Sequence, residues 1–342
     1  MKEDAARIGN TMRTVLVAHG VPEPFARIQA ELLLEAQMRG YASHGLLRLP
    51  RIVERIVNGV TAPAAAGRHE WLGDAFLRVD GERGLGPVVA VSALDALKAR
   101  VRHCGIAIAA IRNSNHLGML AWYGESVARD GLILIAATTS EALVHPWGGK
   151  RALLGTNPLC IAVPATPDPL VLDMATSLVS MGRIHDHANR GEPIPEGWAL
   201  DADGNPTTDA AAAKSGAIAP FGGAKGYALG LALELLVMSL AGSAIGTAVH
   251  GTLDSQSECN KGDLFIVVSP PMSASLAATT RAYLDEIRAS GSPEGPLVTV
   301  PGDRSRETRN RSLADGVEVD ETLWRRILAL QPSAADLKVR CS

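Results

Sequence analysis

Ala75-Phe76-Leu77-Arg78-Val79-Asp80-Gly81-Glu82-Arg83-Gly84-Leu85-Gly86 is the stretch on which the fold turns. Phe76, Leu77 and Val79 read as a short strand, the glycines mark a turn, and a helix is predicted over about residues 87–102. Strand, glycine turn and helix together are the setting of a dinucleotide-binding loop. The spacing argues against one. That fingerprint wants glycine in first, third and sixth place, whereas Gly81, Gly84 and Gly86 stand first, fourth and sixth, and no acid-ended second strand follows about twenty residues later. The stretch is therefore read as a tight turn within an α/β fold, and a Rossmann domain is set aside.

Working outward toward the C-terminus, an apolar run over 105–111, a helix over 119–129 and a second run over 132–138 read as β-α-β. Further short strands are predicted at 159–163, 170–173 and 264–269. Residues 185–220, with Pro193, Pro195, Asp203-Gly204 and Pro206, read as a long polar loop. Pro220-Phe221-Gly222-Gly223-Ala224-Lys225-Gly226 then opens the most apolar helix of the chain. Residues 275–290 read as another helix, 291–312 as turn-rich, and a last helix is expected near 320–331. Toward the N-terminus, Ile8, Met12, Val15 and Leu16, then Ile28, Leu32 and Leu33, keep helical spacing across residues 4–40. A further helix is predicted from Ser43 through Val57, with Pro50 in its first turns.

At 342 residues the chain exceeds the usual single core, so one large α/β unit or two domains sharing a cleft is expected. Aromatics are only 4% against 46% hydrophobic residues, so Ala, Leu, Val and Ile must build the core. A formal charge of -3 gives no electrostatic reason to expect nucleic acid or an anionic membrane, and any anion must be held locally. Cys104, Cys160, Cys259 and Cys341 form no CxxC pair, which argues against a zinc ribbon or a disulfide framework and fits a reducing cytoplasm. The acidic start Met1-Lys2-Glu3-Asp4 lacks the basic and apolar regions of a signal peptide. Residues 227–249 are long enough to span a membrane, yet they hold Glu234 near the middle and Gly230, Gly242 and Gly246 besides. A buried helix followed by a turn is the expectation there.

Two histidines stand beside punctuation residues. In Ser43-His44-Gly45-Leu46-Leu47-Arg48 a helix would set His44 and Arg48 four apart on one face, a proton carrier next to a forked cation, which suits a carboxylate with a protonatable oxygen or nitrogen nearby. Asn113-Ser114-Asn115-His116-Leu117-Gly118 places His116 at an element end among hydrogen-bonding partners. A single histidine is more often structural than catalytic, so the weight lies in His44, His116, Arg48, Thr156-Asn157-Pro158 and Lys225 occurring in one chain. Gly222-Gly223-Ala224-Lys225-Gly226 offers a helix start with a mobile cation for an anion, although a flexible turn with a solvated lysine explains the spacing as well. Pro301-Gly302-Asp303-Arg304, with Arg306 nearby, suits a phosphate or ribose, or a plain surface turn. His185-Asp186-His187 lacks a third and fourth ligand at convincing spacing, so no metal is expected.

Read together, Ser43-His44-Gly45-Leu46-Leu47-Arg48, Asn113-Ser114-Asn115-His116-Leu117-Gly118, Gly155-Thr156-Asn157-Pro158, Leu172-Asp173-Met174-Ala175-Thr176 and Lys225-Gly226-Tyr227 resemble the type-2 malate/L-lactate dehydrogenase family, in the family's order and over about residues 10–310. That family includes malate, lactate, sulfolactate and ureidoglycolate dehydrogenases, a diketogulonate reductase and reductases of cyclic imino acids. The resemblance implies a non-Rossmann, mixed-sheet α/β domain that binds NAD or NADP, over 121–299. It also implies a helical substrate and dimerisation domain built from both chain ends, 1–120 with 300–342, in a homodimer with its site near the interface. It gives His116 the proton-transferring role, Ser43 and His44 the Ser-His pair of imine-reducing members, and Arg48 and Thr156 substrate-holding positions. Ser140, Asp173, Met174, Ala175, Lys225, Gly302, Asp303 and Arg304 fall where the family binds the dinucleotide. One departure matters: imine-reducing members carry an acid shortly after Asp-Met-Ala-Thr, where this chain has Met181-Gly182-Arg183, which favours hydroxy acids over imines.

The reaction this implies is reversible hydride transfer between a nicotinamide and C2 of a small anionic 2-hydroxy or 2-oxo acid of malate, lactate or sulfolactate type. Arg48 would grip the carboxylate, and His116 or His44 would move the proton. The alternatives are NADPH-dependent reduction of a cyclic 2-imino acid, or a dinucleotide-binding protein without turnover. Arg304 and Arg306 lean toward NADP, because a 2′-phosphate wants a guanidinium.

Overall fold

The computed structural model describes residues 1–271, 274–292 and 294–332, so Cys341 and the last ten residues of the expected helical part lie outside it. The chain opens with β1 (Lys2–Glu3), α1 (Ala5–Ala18) and α2 (Glu23–Met38). Asp4 caps α1 by accepting from the Arg7 N–H at 2.8 Å, and Pro24 sits in the first turn of α2, where no intrahelical N–H is lost. The periodic Ile8, Met12, Val15 and Leu16 are fully buried, as their spacing demands.

The helix predicted from Ser43 is corrected here: residues 42–44 and 46–48 form two 3-10 turns, and α3 (Leu49–Val57) begins after them with Pro50 in its first turn. The cause is Gly45, whose backbone (φ -94°, ψ -140°) leaves the helical region where it crosses α2; a Cβ there would run into Gln37.

Next come β2 (Arg68–Trp71), β3 (Phe76–Asp80), α4 (Gly86–Cys104), β4 (Ile106–Arg112), α5 (Leu120–Arg129) and β5 (Ile133–Thr138). The glycine turn between β3 and α4 has a packing role: a Cβ on Gly86 would meet the His116 carbonyl, and one on Gly84 the Ala65 carbonyl. Then follow β6 (Leu159–Val163), β7 (Leu170–Met174), α6 (Met181–Arg190), β8 (Ala199–Leu200), β9 (Pro206–Thr207), α7 (Ala210–Ala213) and β10 (Ala217–Ile218). The long polar loop expected over 185–220 is thus a small folded unit. Val179, Ile184, Ile194, Ala199, Ala210, Ala213 and Ile218 form its own core, too thinly spread along a polar stretch to show a period.

The chain closes with α8 (Ala224–Ala241), β11 (Gly262–Val268), α9 (Ala274–Ala289), α10 (Asp303–Asp315), β12 (Val317–Glu318) and α11 (Glu321–Ala329). Helix α10 occupies part of the stretch read as turn-rich; its charged sequence buries no residue fully and carries no apolar stripe. Strand β12 pairs with β1, and Trp324 and Ile327 of α11 are buried against α1 and α3.

The main sheet runs β2-β3-β4-β11-β5-β6-β7, with β3 and β4 parallel and every other neighbouring pair antiparallel. It draws strands from both sides of residue 120. The run β4-α5-β5 does not make adjacent parallel strands, because β11, with Phe265 and Val267 fully buried, takes the slot between them. Alternate residues of the same strands feed two cores. Ala107, Ala109, Ile111, Phe265 and Val267 pack under α4 and α5, while Ile108, Leu264 and Ile266 face Leu233 and Val237 of α8. The buried helix predicted within 227–249 is corrected here, because α8 buries only one side. One stripe meets the sheet, and Leu229, Leu231, Leu235 and Leu236 remain 36–45% exposed.

Candidate active site

Strand directions bring the chemistry-bearing segments to one end of the sheet. The C-terminal ends of β3, β4, β5 and β7 and the N-terminal ends of β6 and β11 share that edge, as the registers Arg112 with Gly262, Thr138 with Asp263, and Met174 with Leu159 require. Residues 81–86, 113–118, 140, 155–157, 173–176 and 261 therefore cluster although they span most of the chain.

His116 sits on a loop fixed from several sides. Asn115 donates from Nδ2 to the carbonyls of Arg83 (2.8 Å) and Gly84 (2.9 Å), and its Oδ1 accepts from Arg55 and Thr61. The Tyr123 hydroxyl donates to Leu117 O at 2.6 Å. The Gly118 N–H donates to His116 Nδ1 at 2.9 Å, so that nitrogen is the acceptor and the neutral ring carries its proton on Nε2. The ring centroids of His44 and His116 lie 5.3 Å apart, tilted by 40°. Ser43 Oγ lies 3.0 Å from His44 Nδ1, in a contact that either atom can donate to, and Arg48 Nε donates back to Ser43 O at 2.7 Å. Hence Ser43, His44, Arg48 and His116 are brought together, although His44 and Arg48 share no α-helical face.

Electrostatics keeps both rings neutral. Burial pushes His44 down to about 4, with the Arg48 cation adding to it. His116 is held well below the ordinary histidine range by burial, then by Arg48, His44 and Lys261. Lys261 belongs to a cluster that sequence reasoning missed. It is buried and paired with Asp263, whose Oδ1 also accepts from Thr138 Oγ1 at 2.5 Å.

Thr156 stands against Ser140: its N–H donates to Ser140 Oγ at 3.0 Å, and the two hydroxyls are 3.4 Å apart. Beneath them lies Glu234, 2% exposed, accepting from Asn157 Nδ2 (2.7 Å), Gly155 N (3.3 Å) and Gly246 N (2.7 Å). Its sequence position gave only an argument against a membrane span; in the structure it anchors the loop that carries Thr156.

A second group gathers farther along. Asp173, next to last in β7, accepts from Ala121 N at the start of α5 (2.7 Å); burial raises its carboxyl to about 6 against the pull of that N–H and of Leu120's. Asp173, Gly302 and Arg304 line one cavity of about 310 Å³ together with Tyr41 and Val300. Asp303 does not line it. Arg288 and Arg306 grip its carboxylate at 2.9 and 2.8 Å, pulling it down to about 2, so it braces the turn instead. Met174 and Ala175 are half-buried at the exit of β7, and Lys225 is exposed in the first turn of α8, after Gly222 and Gly223 in left-handed conformations. Gly182 lies against Ser43, where a Cβ would come 3.4 Å from the Ser43 Cβ, and no side chain extends the Ser43–His44 pair from there. His187 packs edge-on against Trp198 at 5.6 Å, and among the described residues no group of three His, Cys, Asp or Glu side chains is placed to hold a metal.

The family model described as malate/L-lactate dehydrogenase matches residues 4–328. An L-sulfolactate dehydrogenase of Methanocaldococcus jannaschii is 37% identical over 317 residues, 92% of this chain and 91% of that protein. A (2R)-3-sulfolactate dehydrogenase (NADP(+)) of Chromohalobacter salexigens is 36% identical over 312 residues, 90% of this chain and 91% of its own. Among solved structures, a dehydrogenase from Sinorhizobium meliloti superposes with a TM-score of 0.93 at 51% identity, covering 97% of this chain and 98% of that one.

Proposed function

The chain belongs to the malate/L-lactate dehydrogenase family, and from that premise we propose that it is an NAD(P)-dependent oxidoreductase interconverting a small anionic 2-hydroxy acid and its 2-oxo acid. The observation that carries this reading is the convergence of Arg48 and His116 on one small cavity of about 30 Å³, with the His44 ring tilted against that of His116 at 5.3 Å.

Arg48 spends one N–H on Ser43 O, and its other guanidinium donors are available for a bidentate grip on the substrate carboxylate. His116, with Nδ1 occupied by the Gly118 N–H, offers the substrate oxygen a neutral Nε2–H, as an electrophile rather than a base. His44 faces a hydroxyl that can donate or accept, so either tautomer is open to it, and it carries the proton with Ser43 as its orienting partner. Gly182 beside Ser43 supplies no acid to extend that pair, which supports a hydroxy acid over an imine.

The donor set fits a nicotinamide dinucleotide. The glycine-flanked start of α8 with Lys225 suits its phosphates, together with Ser140, while Asp173 and the backbone at Met174, Ala175 and Gly302 suit a ribose. When bound, the cofactor supplies or takes up hydride at the nicotinamide ring. Exposed Arg304, on the Asp173 cavity and without an ion pair among the described residues, favours a 2′-phosphate and hence NADP. Leu229, Leu231, Leu235 and Leu236 on the outer face of α8 support a homodimer, and free Cys104, Cys160 and Cys259 support a reducing cytoplasm. An unchanged sedimentation coefficient in a Leu235→Glu/Leu236→Glu protein would remove the α8 dimer. The test of the activity is to assay malate, lactate and sulfolactate, and the matching oxo acids, with NAD and NADP by nicotinamide absorbance. No turnover in either direction with any pair would sink the reading.

A further inference from the structure

Lys261 and Asp263 stand at the sheet edge where the site is assembled, on either side of Gly262, which pairs with Arg112 four residues ahead of His116. Both are buried, at 4% and 0% exposure. The ammonium donates to Asp263 Oδ1 and, at 3.4 Å, to Thr138 Oγ1, which leaves its third N–H unspent among the described residues. Asp263 Oδ1 also accepts from the Thr138 hydroxyl at 2.5 Å, while Oδ2 has no partner among the described residues. The pair reaches the His116 loop twice. The Lys261 charge acts on the His116 ring, and the Asp263 charge acts on Tyr123, whose hydroxyl donates to Leu117 O beside that histidine.

Holding the sheet together does not explain the pair. Thr139 already ties β5 to the start of β11, donating its N–H to Gly262 O and accepting from the Gly262 N–H on Oγ1, both at 3.0 Å. A buried ion pair with an orphaned carboxylate oxygen stabilises no more than apolar residues of similar size, so stability gives no reason for charge here. A fixed cation does have a use beside a histidine that must stay unprotonated. The other charged or titratable groups about that ring are His44 and Arg48 on the 3-10 turns and Arg51 and Arg55 on α3, with Glu141 acting on Arg48. Cys259, two residues before Lys261, is a neutral thiol, pushed up to about 11 by burial. Once a substrate carboxylate pairs with Arg48, that cation is spent, and Lys261 is left to oppose a proton on His116.

Resting on the dehydrogenase reading above, we infer that Lys261 is a positioning residue for the reaction: braced by Asp263 and Thr138, its cation acts through His116 and keeps that ring a neutral N–H donor to the substrate oxygen after Arg48 has been taken up by the carboxylate. The test compares Lys261→Met, Lys261→Arg and Lys261→Met/Asp263→Asn in the full chain. It reads kcat and KM for oxo acid reduction over about pH 5–9, and nitrogen-15 spectra of His116 over about pH 4–8. The double variant removes both charges at similar volume, so it decides where Lys261→Met does not fold. Variants without the cation are expected to lose at least about tenfold in kcat with KM within about threefold, and the acid-side fall of kcat/KM moves up by at least about half a pH unit, because His116 then takes up its proton sooner. Lys261→Arg keeps the charge and should stay within about threefold, its profile in place. A cation-free variant whose acid-side fall does not move overturns the inference whatever its rate, and so does an arginine variant that falls as far as the methionine one. If the unaltered protein reduces no oxo acid, the dehydrogenase reading is lost. The link from Lys261 to His116 is then decided by the spectra alone: proton uptake at higher pH in the double variant supports it, and identical His116 shifts throughout overturn it.

Discussion

Replacing His116 by Gln and by Ala, and His44 by the same pair, separates a neutral hydrogen-bond donor from a proton carrier. The Gly118 N–H fixes His116 Nδ1 as an acceptor at 2.9 Å, so taking up a proton there breaks that bond while Nε2–H already points a donor outward. Removing one preorganised donor from a developing negative oxygen costs on the order of 10²- to 10³-fold, about 2.7–4 kcal/mol of barrier. A glutamine keeps an N–H donor at similar reach, so His116→Gln should recover at least about tenfold over His116→Ala in kcat/KM for oxo acid reduction. His44 is different, because an amide does not carry a proton: His44→Gln and His44→Ala should fall together, by on the order of 10²- to 10⁴-fold. Nitrogen-15 spectra add a readout that a merely structural residue would not move. His116 Nδ1 should resonate as an unprotonated nitrogen and stay so between about pH 5 and 8, the range in which an ordinary histidine titrates. Equal losses in the two His116 variants together with a protonated Nδ1 would refute the assignment and return the base to His116.

Two further outcomes follow from the same geometry. Glu234→Ala strands the Gly155 and Gly246 N–H groups and leaves Asn157 Nδ2 only the Gly230 carbonyl, so it should lower stability in urea by about 2–4 kcal/mol and raise KM through Thr156; a loss under about 1 kcal/mol would show that the carboxylate does not hold the loop. His44 falls from 6.5 to about 4 on folding, so the unfolded chain binds the extra proton between those values; stability should be flat above about pH 6.5 and decline by up to about 3 kcal/mol toward pH 4, and a His44→Asn protein with an unchanged slope would count against it.

What could be read from residue order, and what could not, divides by range. Met12 and Leu16 announce α1, and Phe76, Leu77 and Val79 announce β3, because the period is written within a few neighbouring residues. His44 and His116 were legible for a related reason, since each stands beside Ser, Asn or Gly residues that shape a local turn. The helix predicted through Gly45 fails because Gln37 of α2 lies against that glycine, and nothing in residues 43–57 records the approach. Likewise β11 enters the sheet more than a hundred residues after the strands it separates, so a β-α-β reading of 105–138 had no means of leaving room for it.

The hidden part of the site follows the same rule, and it is the part that supports the chemistry. Arg55 looks like a solvated charge on a short helix until Asn115, sixty positions away, accepts two of its N–H groups, and Glu234 looks like a flaw in an apolar helix until Asn157 donates to it across seventy-seven. Reactive groups must meet solvent or substrate and so sit at turns, where short-range signals are strong. The groups that hold them in place are buried by contacts made only once the chain has folded. A scan of polar residues at positions expected to be apolar, such as Glu234 within 227–249, is therefore the sequence signal with which to look for a supporting shell, and the burial of Arg55 on α3 marks where that signal ends.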